Sequence, residues 1–198
     1  MSDALDDRLN QILPRITSAS FLSSDGIGNE IACYIFDYPA EKELRVREHI
    51  RIVVDRLASH HSEIKTLHLD LLDVVLDYLK QRGLLDEAIE FQTKKGDSFV
   101  LKALKGPLEA NKLCDFIAKR YTPSQYDLFL LSGVGSVWPM LRAHNLLNAL
   151  HTILGTTPLV LFYPGRFNGT ELRLFDRITT NTTTPGRTPY YRAFTLVS

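Results

Sequence analysis

The chain of 198 residues has no surplus of either charge: 23 lysines and arginines balance 23 aspartates and glutamates. A protein that holds nucleic acid by bulk electrostatics carries a basic excess, so any DNA contact here would have to be local. Zero net charge also leaves little repulsion between chains, and association, with a second copy or with other proteins, is expected. Cysteine is almost absent. Cys33 and Cys114 lie far apart in apolar settings, which excludes a disulfide framework and fits two buried thiols. No apolar run approaches the ~20 residues needed to span a bilayer. The acidic start MSDALDDRLNQIL lacks the basic head and apolar core of a signal peptide, so a cytoplasmic protein without a membrane segment is expected.

The common short motifs of chemistry are missing too. There is no G-x-x-x-x-G-K-[ST] and no Gly-Lys dipeptide, so the lysine that clamps a nucleoside triphosphate is lacking. Neither G-x-G-x-x-G nor G-x-S-x-G occurs, and no serine has an obvious histidine partner. His60, His61 and His68 cluster loosely, but without a cysteine or acid to complete a metal pattern. His144 and His151 lie two turns apart on a predicted helix with no third ligand. Asp55 and the pair Glu63 and Lys65 could suggest a nuclease, yet Asp55 falls on a predicted helix and cannot converge with them. No catalytic residue, metal or cofactor is assigned, and the chain reads as non-enzymatic.

What is present is a clear alternation of strands and helices over a single domain, residues 1–198. Leu5, Leu9, Ile12, Leu13 and Ile16 predict a helix over 3–18. IACYIFDY (31–38) predicts a strand, and a helix from Glu41 places Leu44, Val46, Ile50, Val53, Val54 and Leu57 on a buried stripe. TLHLDL predicts a strand near 66–71, followed by a helix over 73–81 that Gly83 stops. The charged segment 86–106 is helical in part, and Gly106-Pro107 starts a further helix. DLFLLS (127–132) and PLVLFY (158–163) have the continuous apolar character of strands buried on both faces. Between them, Ser136 is expected to cap a helix with Pro139 in its first turn that runs to about Leu154. Strand, helix and strand at this spacing make a right-handed βαβ unit. LRLF and YYRAFTLV predict two further strands, joined by the polar stretch TTNTTTPGRTP. The fold class is α/β: three layers, a mostly parallel sheet with flanking helices, P-loop-like or Rossmann-like without a Walker A motif.

Two stretches carry what functional signal there is. Gly133-Val134-Gly135-Ser136 turns from a strand into a helix, so Gly133, Gly135 and Ser136 could present backbone N–H groups to an anion or nucleotide; a plain turn is the alternative. In FYPGRFNGTELRLF, Pro164-Gly165 and Asn168-Gly169 read as a double turn that presents Arg166. From Gly165 to the end there are five arginines and no lysine, with aromatics interleaved. Arginine without lysine favours bidentate contact with carboxylate or phosphate, and aromatics anchor interfaces. Arg166, Phe167, Asn168, Arg173, Tyr190, Tyr191 and Arg192 are therefore the candidate partner surface.

Taken in order, SGVGSVWPMLRAHNLLNAL, PLVLFYPGRFNGTELRLF and YYRAFTLV, with the earlier GIGNEIACYIFDYPAEKELRVREHI, resemble the family typified by BrxB. That family is a small component of BREX phage-defence systems in bacteria and archaea. The resemblance spans essentially the whole chain and departs from the family pattern at the long TTNTTTPGRTP link. It implies a role in phage exclusion beside a methyltransferase, an ATPase and an alkaline-phosphatase-like protein, the last a candidate direct partner. It brings no catalytic residues with it.

Overall fold

A computed structural model of the protein describes residues 4–23, 32–179 and 193–198. Helices α1 (Ala4–Ile16) and α2 (Ala19–Leu22) lead to strand β1 (Cys33–Tyr38) and the long helix α3 (Glu43–His60). Next come β2 (Thr66–Asp70), α4 (Leu71–Gln81), α5 (Leu85–Lys95), α6 (Asp97–Leu104) and α7 (Ala110–Tyr121). The last third holds β3 (Leu128–Ser132), α8 (Val134–Val137), α9 (Ala143–Leu154), β4 (Leu159–Phe167), β5 (Leu172–Leu174), β6 (Ile178–Thr179) and β7 (Ala193–Thr195).

The main sheet runs β2-β3-β4-β1-β7, and every pairing in it is parallel. Alternation along the strands divides the interior in two. Ile35, Phe129, Leu131, Leu159 and Leu161 face a core shared with α4, α7 and α9. Tyr34, Phe36, Leu128, Leu130, Val160 and Phe162 face a core shared with α1 and α3. Strands covered on both faces need side chains that are apolar at every position, which is why DLFLLS and PLVLFY show no polar alternation. The connection from β1 to β2 crosses the sheet in one direction, whereas β2 to β3 and β3 to β4 step the other way. With right-handed crossovers, opposite directions place helices on opposite faces. The result is the expected three-layer α/β architecture.

Four local expectations need correction. The stripe of α3 is Val46, Ile50, Val53 and Leu57, while Leu44 is 81% exposed. Leu44 precedes Val46 by two positions, about 200° around a helix, so it points to solvent. Ser136 does not cap a continuous helix. It lies inside the four-residue α8, Trp138 is extended before Pro139, and α9 starts only at Ala143 with Arg142 at its N-cap position. Proline disfavours the α conformation in the residue before it, which divides the segment. The helix after Gly106-Pro107 begins at Ala110. Most consequentially, Pro164-Gly165 is not a turn: β4 runs straight through both residues to Phe167.

Candidate functional site

In open parallel sheets ligands gather beyond the carboxyl ends of the strands, and the polar side chains of this protein concentrate there. Asp70 closes β2 and caps α4, its carboxylate accepting a hydrogen bond from the Leu72 N–H at 2.9 Å. On the neighbouring strand Ser132, only 3% exposed, lies with Oγ 2.8 Å from His68 Nε2 and donates to Asp70 Oδ2 at 3.4 Å. Burial holds the His68 imidazole below its ordinary pKa, while Asp70 and then Asp73 pull it back up. A neutral imidazole joined through a hydroxyl to a carboxylate fixes the ends of β2, β3 and α4 in one network. The order differs from an acyl-transfer triad, since the carboxylate bonds the serine and not the far side of the imidazole. From the other layer, Arg47 of α3 donates through Nε to Glu43 and through its terminal nitrogen to Ser136 Oγ, both at 2.7 Å. Tyr38 at the end of β1 donates to Glu43 at 2.7 Å, and burial, reinforced by Glu43, drives its phenol pKa up. A cavity of about 360 Å³ opens between these groups, lined by Arg47, Arg51, His68, Asp70, Asp73 and Ser132.

Of the three residues proposed for an anion, Gly133 occupies left-handed backbone (φ 77°), and a Cβ there would lie 2.4 Å from the Asp70 carboxylate. Gly135 is closed in by Phe175 and Pro164, each 3.0 Å from where a Cβ would sit. Ser136 Oγ is engaged by Arg47. A carboxylate against the turn is a poor environment for a second anion, and the glycines are accounted for by close packing. Among the described residues, no three His, Cys, Asp or Glu side chains are grouped to hold a metal ion.

The same contacts show that the two stretches singled out in the sequence meet in space: α8 lies directly under the continuation of β4. Beyond the parallel sheet, Gly165, Arg166 and Phe167 pair antiparallel with Leu174, Arg173 and Leu172 of β5, which pairs in turn with β6. Pro164 suits this place because it only has to accept: its carbonyl takes the Phe175 N–H at 2.8 Å. Asn168 shapes the turn into β5, its side-chain oxygen accepting from the Thr170 and Glu171 N–H groups at 3.1 and 2.7 Å. Asp37 holds the rim from below. One carboxylate oxygen accepts the Phe167 N–H at 3.0 Å; the other takes Arg8 at 2.8 Å.

On this rim Arg166 and Arg173 stand directly opposite one another in register. Each has an acid of its own, Asp176 at 3.2 Å and Glu171 at 3.0 Å, yet the Arg166 side chain remains 78% exposed. Beside them Trp138 is exposed and stacks edge-on to Phe175 with ring centroids 6.2 Å apart. Phe175 and Asp176 both have positive φ, unusual for residues with a Cβ, at the turn between β5 and β6. The structure thus groups Arg166, Phe167, Asn168 and Arg173, whereas Tyr190, Tyr191 and Arg192, with the TTNTTTPGRTP stretch beyond Thr179, lie outside the described residues. Sequence reasoning missed Asp37, His68, Asp70, Ser132 and Trp138 as members of these sites, while Phe175 is one of the interleaved aromatics of the C-terminal region. His68 and Ser132 are 64 positions apart, and only the pairing of β2 with β3 joins them. Trp138 could have been found as the single tryptophan next to a proline.

A family model described as "BREX protein BrxB" matches residues 67–196, which include all but the first residue of β2, together with β3, α8 and the whole rim. The BREX protein BrxB of Escherichia coli O9:H4 (strain HS) is 40% identical over 193 residues, covering 98% of this chain and 92% of its own. The BREX protein BrxB of Bacillus cereus (strain H3081.97) is 40% identical over 197 residues, covering 98% of this chain and 97% of its own. No solved structure matches. A family model over most of the chain and relatives similar from end to end lead to one conclusion: the chain belongs to the BrxB family.

Proposed function

We propose that this protein is a non-enzymatic assembly subunit of a BREX phage-defence system, docking through its β4–β5–β6 rim onto an acidic surface of another BREX component. Membership of the BrxB family makes it a BREX component. The observation that carries the docking role is the pair Arg166 and Arg173. Like charges opposite each other on a sheet are unfavourable; Asp176 and Glu171 offset them in part, and the outward faces of the two exposed guanidiniums are left to a carboxylate- or phosphate-bearing partner. Trp138 and Phe175 supply the aromatic anchor that such a surface needs at its centre. The alkaline-phosphatase-like subunit is the partner we favour among the components. A nucleotide at the GVGS turn is the less favoured reading, because the Asp70 carboxylate packs against Gly133 and would repel a phosphate there.

Affinity purification of the tagged chain from cells carrying a complete BREX system tests this. The wild type is expected to recover at least one other component, and Arg166→Ala and Trp138→Ala each to reduce that recovery severalfold while remaining folded. Equal recovery by all three proteins contradicts the assignment of the rim.

A further inference from the structure

A second concavity lies away from the rim. It is a groove of about 690 Å³ between α9 and the segment joining α6 to α7, floored by Leu108, Leu141 and Ala149. One stripe of α9 faces it, Arg142, Asn145, Asn148 and Thr152, and Lys105 and Asn111 face it from the other wall. Neither the rim nor the polar network around Ser132 uses these residues.

We infer that this groove is a docking site for an extended, acidic peptide segment of a partner protein. Three features of the groove select that occupant. The first is charge. Arg142 and Lys105 have no ion-pair partner among the described residues, while Glu109, the one acid in the lining, is held by Lys112 at 3.3 Å. The first turn of α7 adds its partial positive charge at the same end. The second is hydrogen bonding. Asn111, Asn145 and Asn148 carry amides with no hydrogen-bond partner among the described residues. Each amide offers a donor and an acceptor together, the complement of a peptide unit. An extended chain has free N–H and C=O groups all along its length, whereas a helix has used its own. The third is the floor. Its side chains are aliphatic, so it takes leucine-like side chains but offers no aromatic face on which a nucleobase could stack. Cationic walls, free amides and an aliphatic bed fit alternating acidic and aliphatic residues, and fit a nucleotide poorly.

The inference stands apart from the reading of the rim, since it concerns other residues and is tested on the isolated protein. The probe is a fluorescein-labelled peptide of about eight residues alternating Asp or Glu with Leu, so that acids and aliphatic side chains fall on opposite faces of the extended chain. Its control replaces each acid with lysine. Fluorescence anisotropy at low salt is expected to show the acidic peptide binding at least tenfold tighter than the lysine peptide. Arg142→Glu and Lys105→Glu, exposed positions on opposite walls, are each expected to weaken it at least fivefold with an unchanged circular dichroism spectrum. Asn148→Ala should weaken it without removing the charge preference. Equal binding of both peptides, no binding up to about 1 mM, insensitivity to both charge reversals, or displacement of the peptide by ATP overturns the proposal.

Discussion

Gly165 has no space for a side chain. A Cβ there would sit 2.0 Å from the Arg173 carbonyl oxygen, and backbone on both sides prevents either strand from yielding. Gly165→Ala is therefore expected to destabilise the protein by at least about 2 kcal/mol, the scale of strained backbone and overpacking together. Urea denaturation measures it, and a loss below about 0.5 kcal/mol contradicts the tight β4–β5 pairing. His68 sets a second expectation. Burial lowers its pKa from 6.5, and burial does the same to His49 on α3. With the folded pKa below the unfolded one, the unfolded chain binds protons first as the solution is acidified. Stability is complete above the unfolded value of about 6.5 and declines as pH falls from there through the lower folded values. Melting temperatures between about pH 7.5 and 5 should show that decline, and His49→Gln with His68→Gln should flatten it.

At the scale of elements, the rim is a device for carrying one strand past the end of its sheet. Asp37 at the end of β1 joins the Phe167 N–H of β4, Arg8 of α1 and, through Arg8, the Val197 carbonyl near the C-terminus. Asp37→Ala leaves the Phe167 N–H without its acceptor and the Arg8 guanidinium with carbonyl acceptors but no counter-charge, in a half-buried place. It is expected to cost about 2–3 kcal/mol and to speed hydrogen exchange at the Phe167 amide. Unaltered exchange at Phe167 would show that the rim is held by β5 alone. How far these elements could be seen in the sequence depended on how local their causes are. The strands β1, β3 and β4, and the buried stripe of α1, were legible because burial on both faces, or on one helical face, imposes a pattern on neighbouring residues. The path through Pro164 and Gly165 was not, because both residues usually signal turns. Here a proline with only an acceptor to satisfy and a glycine pressed against the paired strand serve an antiparallel pairing formed with residues nine to eleven positions later. The partnership of His68, Asp70 and Ser132 was illegible for a related reason, since it exists only through strand register. Leu44 failed in the opposite way: apolarity was read as burial, yet solvent-facing leucines are common.

For the whole molecule, the chain balances a rigid interior against a differentiated surface. Two cores enclose a sheet apolar on both faces, which leaves functional variation to the carboxyl end of the sheet and to the helices around it. No helix among the described residues is long and apolar enough to cross a membrane. What distinguishes this surface is a pair of opposed arginines beside an exposed tryptophan, on a rim braced from α1 and β1. This rim is the proposed docking place of another BREX component. The most direct measurement is charge reversal at both arginines, Arg166→Glu with Arg173→Glu, read by quantitative mass spectrometry of what co-purifies with the tagged chain from a complete BREX system. The account predicts that the reversed protein, with an unaltered melting temperature, loses at least about nine-tenths of the partner recovered by the wild type. Recovery equal to wild type from a folded, charge-reversed protein would contradict it.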